Sequence, residues 1–197
     1  MASHREVEIK LRVRQPARIK QRIRQLGFRR LGPRALETNV LFDYPDRRLF
    51  QAGSALRLRS VGGKSLLTFK GPPAAAPRYK DREEVETEAE NAAALRQILR
   101  RLGLVPVFTY RKHRTTYAPP ADSRAPRRSL LLYDETPAGT FLELEGSPRW
   151  IDRTARELGY RPEDYITASY ITLYFASQSG QTAGPASGPV VAPRPDA

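Results

Sequence analysis

The sequence predicts an α+β fold: eight antiparallel strands closed into a barrel, with helices packed outside. Three observations point there. Segments near 4–14, 37–44, 54–61, 65–71, 81–88, 106–117, 129–135 and 139–146 show the period-2 alternation or the β-branched and aromatic content of strands. The gaps between them carry helix punctuation. Nearly every strand has one charged face, and the charges on it are of both signs.

The first strand contains REVEIKLRV. Successive side chains of an extended chain point to opposite faces, so Glu6, Glu8, Lys10, Arg12 and Arg14 share one face and Val7, Ile9, Leu11 and Val13 the other. The same test sets Arg57 and Arg59 opposite Leu56 and Leu58, and Thr68 and Lys70 opposite Leu67 and Phe69. It aligns Arg82, Glu84, Glu86 and Glu88, then Tyr110, Lys112 and Arg114. Asp134 follows in LLYDE, and Phe141, Glu143 and Glu145 oppose Leu142 and Leu144.

A first helix opens at Pro16 and stops at Gly27, and a second runs over 90–102 to Gly103. Ser147 caps a third that starts at Pro148 and ends at Gly159, and Pro162 opens a fourth that runs to about Phe175. Residues 71–80 and 118–129 are Pro-rich and read as loops. One domain over 1–178 is expected, followed by a disordered tail over 179–197 whose Gly, Pro and Ala cannot repay the entropy of ordering.

The chain has 197 residues and no cysteine, which excludes a disulfide framework, a thiolate zinc site and a cysteine nucleophile. No run of about 18 apolar residues occurs and the N-terminus is charged at once, so a cytoplasmic protein is expected. A formal net charge of +13 calls for an anionic partner without choosing among nucleic acid, a membrane surface and a phosphate-rich small molecule.

Two arrangements accommodate the charged faces. One is an ordinary antiparallel sheet with its polar face in water. The other is a barrel whose ionic side chains line a wet lumen while helices cover its apolar outside. The tight i, i+2 clusters of Arg and Glu favour the second. Arg forks neutralise a phosphate chain, whereas carboxylates in the same lumen would repel it unless they hold Mg²⁺ or Mn²⁺. Glu6 with Glu8 and Glu143 with Glu145 are the clearest pairs on single faces.

These motifs resemble the CYTH superfamily, the triphosphate tunnel metalloenzymes. Glu6, Glu8 and Lys10 supply its Glu-x-Glu-x-Lys signature, followed in order by NVLFDYPDRRL, ALRLR, LTFKGP, REEVE, Lys112 with Arg114, LYDETPAGTFLELEG and SYITLY, over residues 4–176. The resemblance implies a tunnel of eight antiparallel strands. It places Glu6, Glu8, Glu143 and Glu145 in the metal-binding sector, with Glu84, Glu86 and Asp134 as weaker candidates. It gives Lys10, Arg57, Arg59, Lys70, Arg82, Lys112 and Arg114 to the triphosphate, with Lys10, Glu6 and Glu8 as the catalytic set. Leu41 departs from the tyrosine that many relatives carry.

The resemblance implies a small-molecule triphosphate as partner, in a monomer or homodimer. The expected activity is that of a class IV adenylate cyclase, because the EVEIK and FTYRKHR segments resemble the cyclase-like branch of the family. A triphosphatase acting on tripolyphosphate, thiamine triphosphate or a nucleoside triphosphate is the alternative, since the same tunnel serves both. A non-catalytic polyanion binder is the reading of another class, resting on Arg18, Lys20, Arg22, Arg24, Arg29 and Arg30 around the first helix. Nucleic acid is disfavoured because the only aromatic residue in that patch is Phe28. No membrane partner is expected. His4 and His113 read as structural or exposed, Trp150 with Ile151, Ala155 and Leu158 as helix packing, and Tyr165 and Tyr170 as anchors of the last helix.

Overall fold

The computed structural model describes residues 4–74, 78–121 and 125–179. Its strands are β1 (His4–Arg12), β2 (Arg29–Arg30), β3 (Ala35–Asp43), β4 (Ala55–Val61), β5 (Lys64–Lys70), β6 (Lys80–Ala89), β7 (Val105–Ala118), β8 (Leu130–Thr136) and β9 (Gly139–Glu145). They form one antiparallel sheet in the order β2-β7-β3-β4-β5-β6-β1-β9-β8. A further pairing of β7 with β8 closes β1 and β3–β9 into an eight-stranded barrel, leaving the short β2 outside on the end of β7.

Helices α1 (Pro16–Gln25), α2 (Arg48–Gln51), α3 (Ala92–Arg101), α4 (Pro148–Glu157) and α5 (Tyr170–Gln178) lie around it. Their packing shows which strand faces point out. Ile9, Leu11, Leu131, Tyr133, Leu142 and Leu144 bury themselves against Ile19 and Ile23 of α1 and Trp150, Ile151 and Ala155 of α4. Val40, Phe42 and Leu58 do the same against Leu99 of α3. The apolar stripes of β1, β3, β4, β8 and β9 are therefore outside, under helices, and the charged stripes are inside.

Local chemistry fixes the helix ends. Asn91 Oδ1 accepts from Ala94 N at 2.9 Å and starts α3, while Ser147 Oγ accepts from Trp150 N at 3.4 Å and starts α4. Gly27, in the left-handed region at φ 75°, ends α1.

Two expectations need correction. Pro162 opens only a 3₁₀ turn, Pro162–Asp164; Ile166 then exchanges backbone hydrogen bonds with Lys10, both at 2.9 Å. β6 covers β1 only as far as Glu8, so the Ile166 segment takes over the exposed edge, and α5 starts afresh at Tyr170, capped by Ser169. The turn α2 was not foreseen. It forms because the Asp43 carboxylate accepts from the backbone N–H groups of Tyr44, Leu49 and Phe50 at 2.7–3.0 Å. The expected tail over 179–197 lies, apart from Ser179, outside the described residues.

Candidate active site in the barrel lumen

Strand register decides which charges meet. β1 runs between β6 and β9, so Glu8 stands beside Lys80 on one side and Glu145 on the other, with Lys10 beside Glu143 and Glu6 beside Arg82. Carboxylate oxygens of Glu6, Glu8 and Glu145 lie within 4.8 Å of one another. Burial, with the charges of Glu6 and Glu143, drives the Glu145 carboxyl well above the usual range. Glu8 goes the other way: burial would raise it, but Lys10 and Lys80 hold it well down. The hard, all-oxygen donor set of this trio fits Mg²⁺ or Mn²⁺, whose charge would relieve the repulsion.

The other four carboxylates expected near the metal are engaged elsewhere. Glu143 bridges Lys10 Nζ at 3.1 Å and Arg114 Nη2 at 2.8 Å, and those cations with Lys112 hold it ionised in spite of burial. Asp134, fully buried, receives Lys112 Nζ at 2.9 Å, two bonds from Arg114 at 2.7 and 2.6 Å, and the Tyr170 hydroxyl at 2.6 Å. Its hydrogen-bond partners are on β7 and α5, not in the trio. Glu84 pairs with Lys70, and burial and a hydrogen bond shared with Glu6 push its carboxyl up to about 8. Glu86 takes Thr68 Oγ1 at 2.6 Å and Arg59 Nη2 at 3.3 Å.

The expected triphosphate cations all face the lumen, in two conditions. Lys10, Lys70, Lys112 and Arg114 are neutralised by carboxylates within 3.1 Å. Among the described residues Arg57, Arg59 and Arg82 keep a buried Nε with no hydrogen-bond acceptor, although Arg59 Nη2 reaches Glu86 at 3.3 Å and Arg82 Nε itself lies 3.7 Å from Glu84. Spare anion-binding capacity therefore sits on β4 and β6.

A cavity of ≈ 390 Å³ opens beside these groups, in the size range of small-molecule sites. Lys10, Arg57, Lys70, Lys80 and Arg82 form one part of its wall, and Leu41, Phe50, Phe108, Tyr110 and Phe175 form an apolar, largely aromatic part. Leu41, the departure noted in the sequence, thus belongs to the apolar wall.

Sequence reading missed four lumen residues. Lys80 was assigned to a loop, yet it shares parity with Arg82 and Glu84; it contacts Glu8 at 3.1 Å, and burial pushes its amine down to about 7. Glu37 and Asn39 share the inner face of β3 with Leu41, a parity that the sequence shows but that carries no charge cluster to draw attention. Tyr170 is more than an anchor. Its ring lies 5.1 Å from Lys10 Nζ and 4.7 Å from Lys112 Nζ, and burial beside Asp134 raises its hydroxyl well above the ordinary value. No sequence pattern signals this, because α5 places Tyr170 from outside the strand set.

The CYTH domain family model matches residues 4–170. The chain belongs to the CYTH family. Among relatives of this CYTH domain, the "putative adenylate cyclase" of Methanocaldococcus jannaschii is 32% identical over 142 residues, covering 72% of this chain and 77% of the relative. The structure of a "putative adenylate cyclase" from Vibrio parahaemolyticus superposes with a TM-score of 0.75 at 20% identity, over 87% of this chain and 98% of that one. A "putative adenylyl cyclase" from Hippeastrum, described as having a dominant triphosphatase activity, superposes with a TM-score of 0.61 at 23% identity, covering 90% and 97%. The closed barrel with its outer helices matches the CYTH tunnel fold.

Proposed function

We propose that this CYTH domain is a divalent-metal-dependent enzyme acting on an organic triphosphate, with the cyclisation of ATP to cyclic AMP and pyrophosphate as the reaction. One observation carries the reading: a single cavity joins an aromatic wall to a basic wall, and Glu8 of the Glu6, Glu8 and Glu145 trio lines it beside Lys10 and Lys80. The aromatic part suits a nucleoside, and the guanidinium of Arg57, whose buried Nε has no acceptor among the described residues, suits the phosphates.

In the cyclase reaction the ribose 3′-hydroxyl gives its proton to solvent as its oxygen bonds to the α-phosphorus, the bond from that phosphorus to the bridging oxygen breaks, and pyrophosphate leaves with the electron pair. Mg²⁺ or Mn²⁺ on the glutamate trio would neutralise charge on the phosphate oxygens. Lys10 sits at the junction, held by Glu8 and Glu143, whose charges outweigh burial and keep its amine protonated well above the ordinary range. It is therefore a fixed positive charge that stabilises and orients rather than a base. Glu8 and Glu143 also fix its position.

Hydrolysis by water is the second reading, favoured by the triphosphatase activity described for the Hippeastrum neighbour. Purified protein incubated with ATP, tripolyphosphate and thiamine triphosphate, with Mg²⁺ or Mn²⁺, separates the two when products are resolved by chromatography. Cyclic AMP with pyrophosphate supports the cyclase. Orthophosphate without any cyclic product overturns it.

The polyanion reading has its own support. Cations and carboxylates in the lumen nearly balance, so most of the +13 excess is on the outside. Arg18, Lys20, Arg22 and Arg24 are exposed on α1, and the chain carries no Asp or Glu between Glu8 and Glu37. Phe28 is buried, so this surface offers charge without stacking. Salt-sensitive retention of a polyanion, unchanged by Lys112→Met in the lumen, would support an external contact.

A further inference from the structure

We infer that Asn39 is a substrate-binding residue that donates a hydrogen bond to the terminal phosphate, one inward residue pair further along β3 than Leu41 and Phe108. The inference rests on the triphosphate reading above and adds to it a residue which that reading does not use.

Asn39 is fully buried, and neither its Nδ2 nor its Oδ1 has a partner among the described residues. A buried amide without hydrogen bonds costs stability, and folded proteins nearly always satisfy such groups. Its direction is settled by its neighbours on β3. Val40 and Phe42 point outward into the core under α3. Glu37 and Leu41 point inward: Glu37 Oε2 lies 3.6 Å from Lys112 Nζ, and Leu41 lines the cavity.

Register puts Asn39 between Arg59 of β4 and Tyr110 of β7. Arg59 is the next inward residue after Arg57, and its Nε is also unpartnered. Arg57 lines the cavity and is the register partner of Leu41, so Asn39 and Arg59 lie one inward step beyond that pair, about 6.7 Å along β4. That step is comparable to the span of a triphosphate. A nucleoside held at the aromatic wall would thus present its first phosphate near Arg57 and its last near Arg59 and Asn39, where an amide N–H and a guanidinium N–H lack acceptors.

The test compares wild type with Asn39→Leu, which keeps the volume and removes the amide. Calorimetric titration with Mg²⁺ uses adenosine 5′-(β,γ-imido)triphosphate and ADP as probes, and melting of the ligand-free protein is followed separately. The expected result is a loss of about tenfold in affinity for the triphosphate, the worth of one hydrogen bond to a charged acceptor. ADP affinity should change less than twofold, and the melting temperature should hold or rise because an unsatisfied buried group is gone.

Unchanged triphosphate affinity would overturn the inference alone, as would an equal loss for both probes with a lower melting temperature, the mark of a structural role. A wild-type protein that binds neither probe nor diimidotriphosphate overturns the triphosphate reading and the inference with it. Should the leucine variant fail to fold, Asn39→Ser must show the same selective loss.

Discussion

Arg114 grips Asp134 through two parallel hydrogen bonds, Nε to Oδ1 at 2.7 Å and Nη2 to Oδ2 at 2.6 Å, in a site with no access to water at the carboxylate. The same carboxylate accepts from Lys112 and Tyr170, so one residue of β8 ties together β7 and α5. Asp134→Ala leaves Arg114 with Glu143 alone and Lys112 with only the more distant Glu37, at 3.6 Å. It should destabilise the protein by about 3–5 kcal/mol, read from urea unfolding, because removing one partner of a buried pair exposes the full desolvation cost of the other. A loss under about 1 kcal/mol would show that the cations find water instead.

The glutamate trio makes a prediction about metals. Mn²⁺ at 100 times its dissociation constant should raise the unfolding free energy of wild type by about 2.7 kcal/mol. Glu145→Gln should lose most of this gain. The metal-free variant should be at least as stable as wild type, since it removes one of three crowded carboxylates. An undiminished Mn²⁺ effect on the variant would place the ion elsewhere.

Phe108 makes ring contacts with Tyr110, Tyr174 and Phe175 at centroid distances of 5.4–5.8 Å and lines the cavity. Base stacking on an aromatic side chain is worth roughly 1–3 kcal/mol. Phe108→Ala should therefore weaken an adenosine triphosphate analogue about tenfold or more while inorganic tripolyphosphate binds as before. Equal losses for both ligands would mean that the aromatic wall only supports the strands.

Alkaline stability should report on Asp152, which accepts from the hydroxyls of Tyr79 at 2.8 Å and Tyr165 at 3.0 Å. Burial and the bond to Asp152 push the Tyr165 hydroxyl up to about 12 from its model-peptide value near 10. The neutral form is thus favoured in the folded state. Its contribution is complete below pH about 10 and is lost as pH rises toward 12. Unfolding followed from pH 9 to pH 12 should show this decline, and Tyr165→Phe should flatten it.

Much of the fold was legible because each strand carries two incompatible faces. Alternation located the strands of the barrel to within a few residues, and the mixing of Arg and Glu on inner stripes marked a lumen rather than a wetted sheet. The break after Pro162 was not legible, because it depends on Ile166 meeting the edge of β1 where β6 stops. Helix α2 likewise depends on the Asp43 carboxylate capping a turn several residues ahead of it.

For the site, the sequence by itself determined which residue types share the inner stripes, since parity along a strand is fixed by backbone geometry. Only the tertiary structure decided their partners. Register brought Glu145 to Glu6 and Glu8 and sent Glu143, two residues earlier, to Lys10 and Arg114. It gave Asp134 three donors, left Asn39 with none, and let α5 carry Tyr170 in from outside the barrel. Attraction and repulsion between charges depend on distances across strands, and those distances are set by how the barrel closes, which no single stretch of sequence contains.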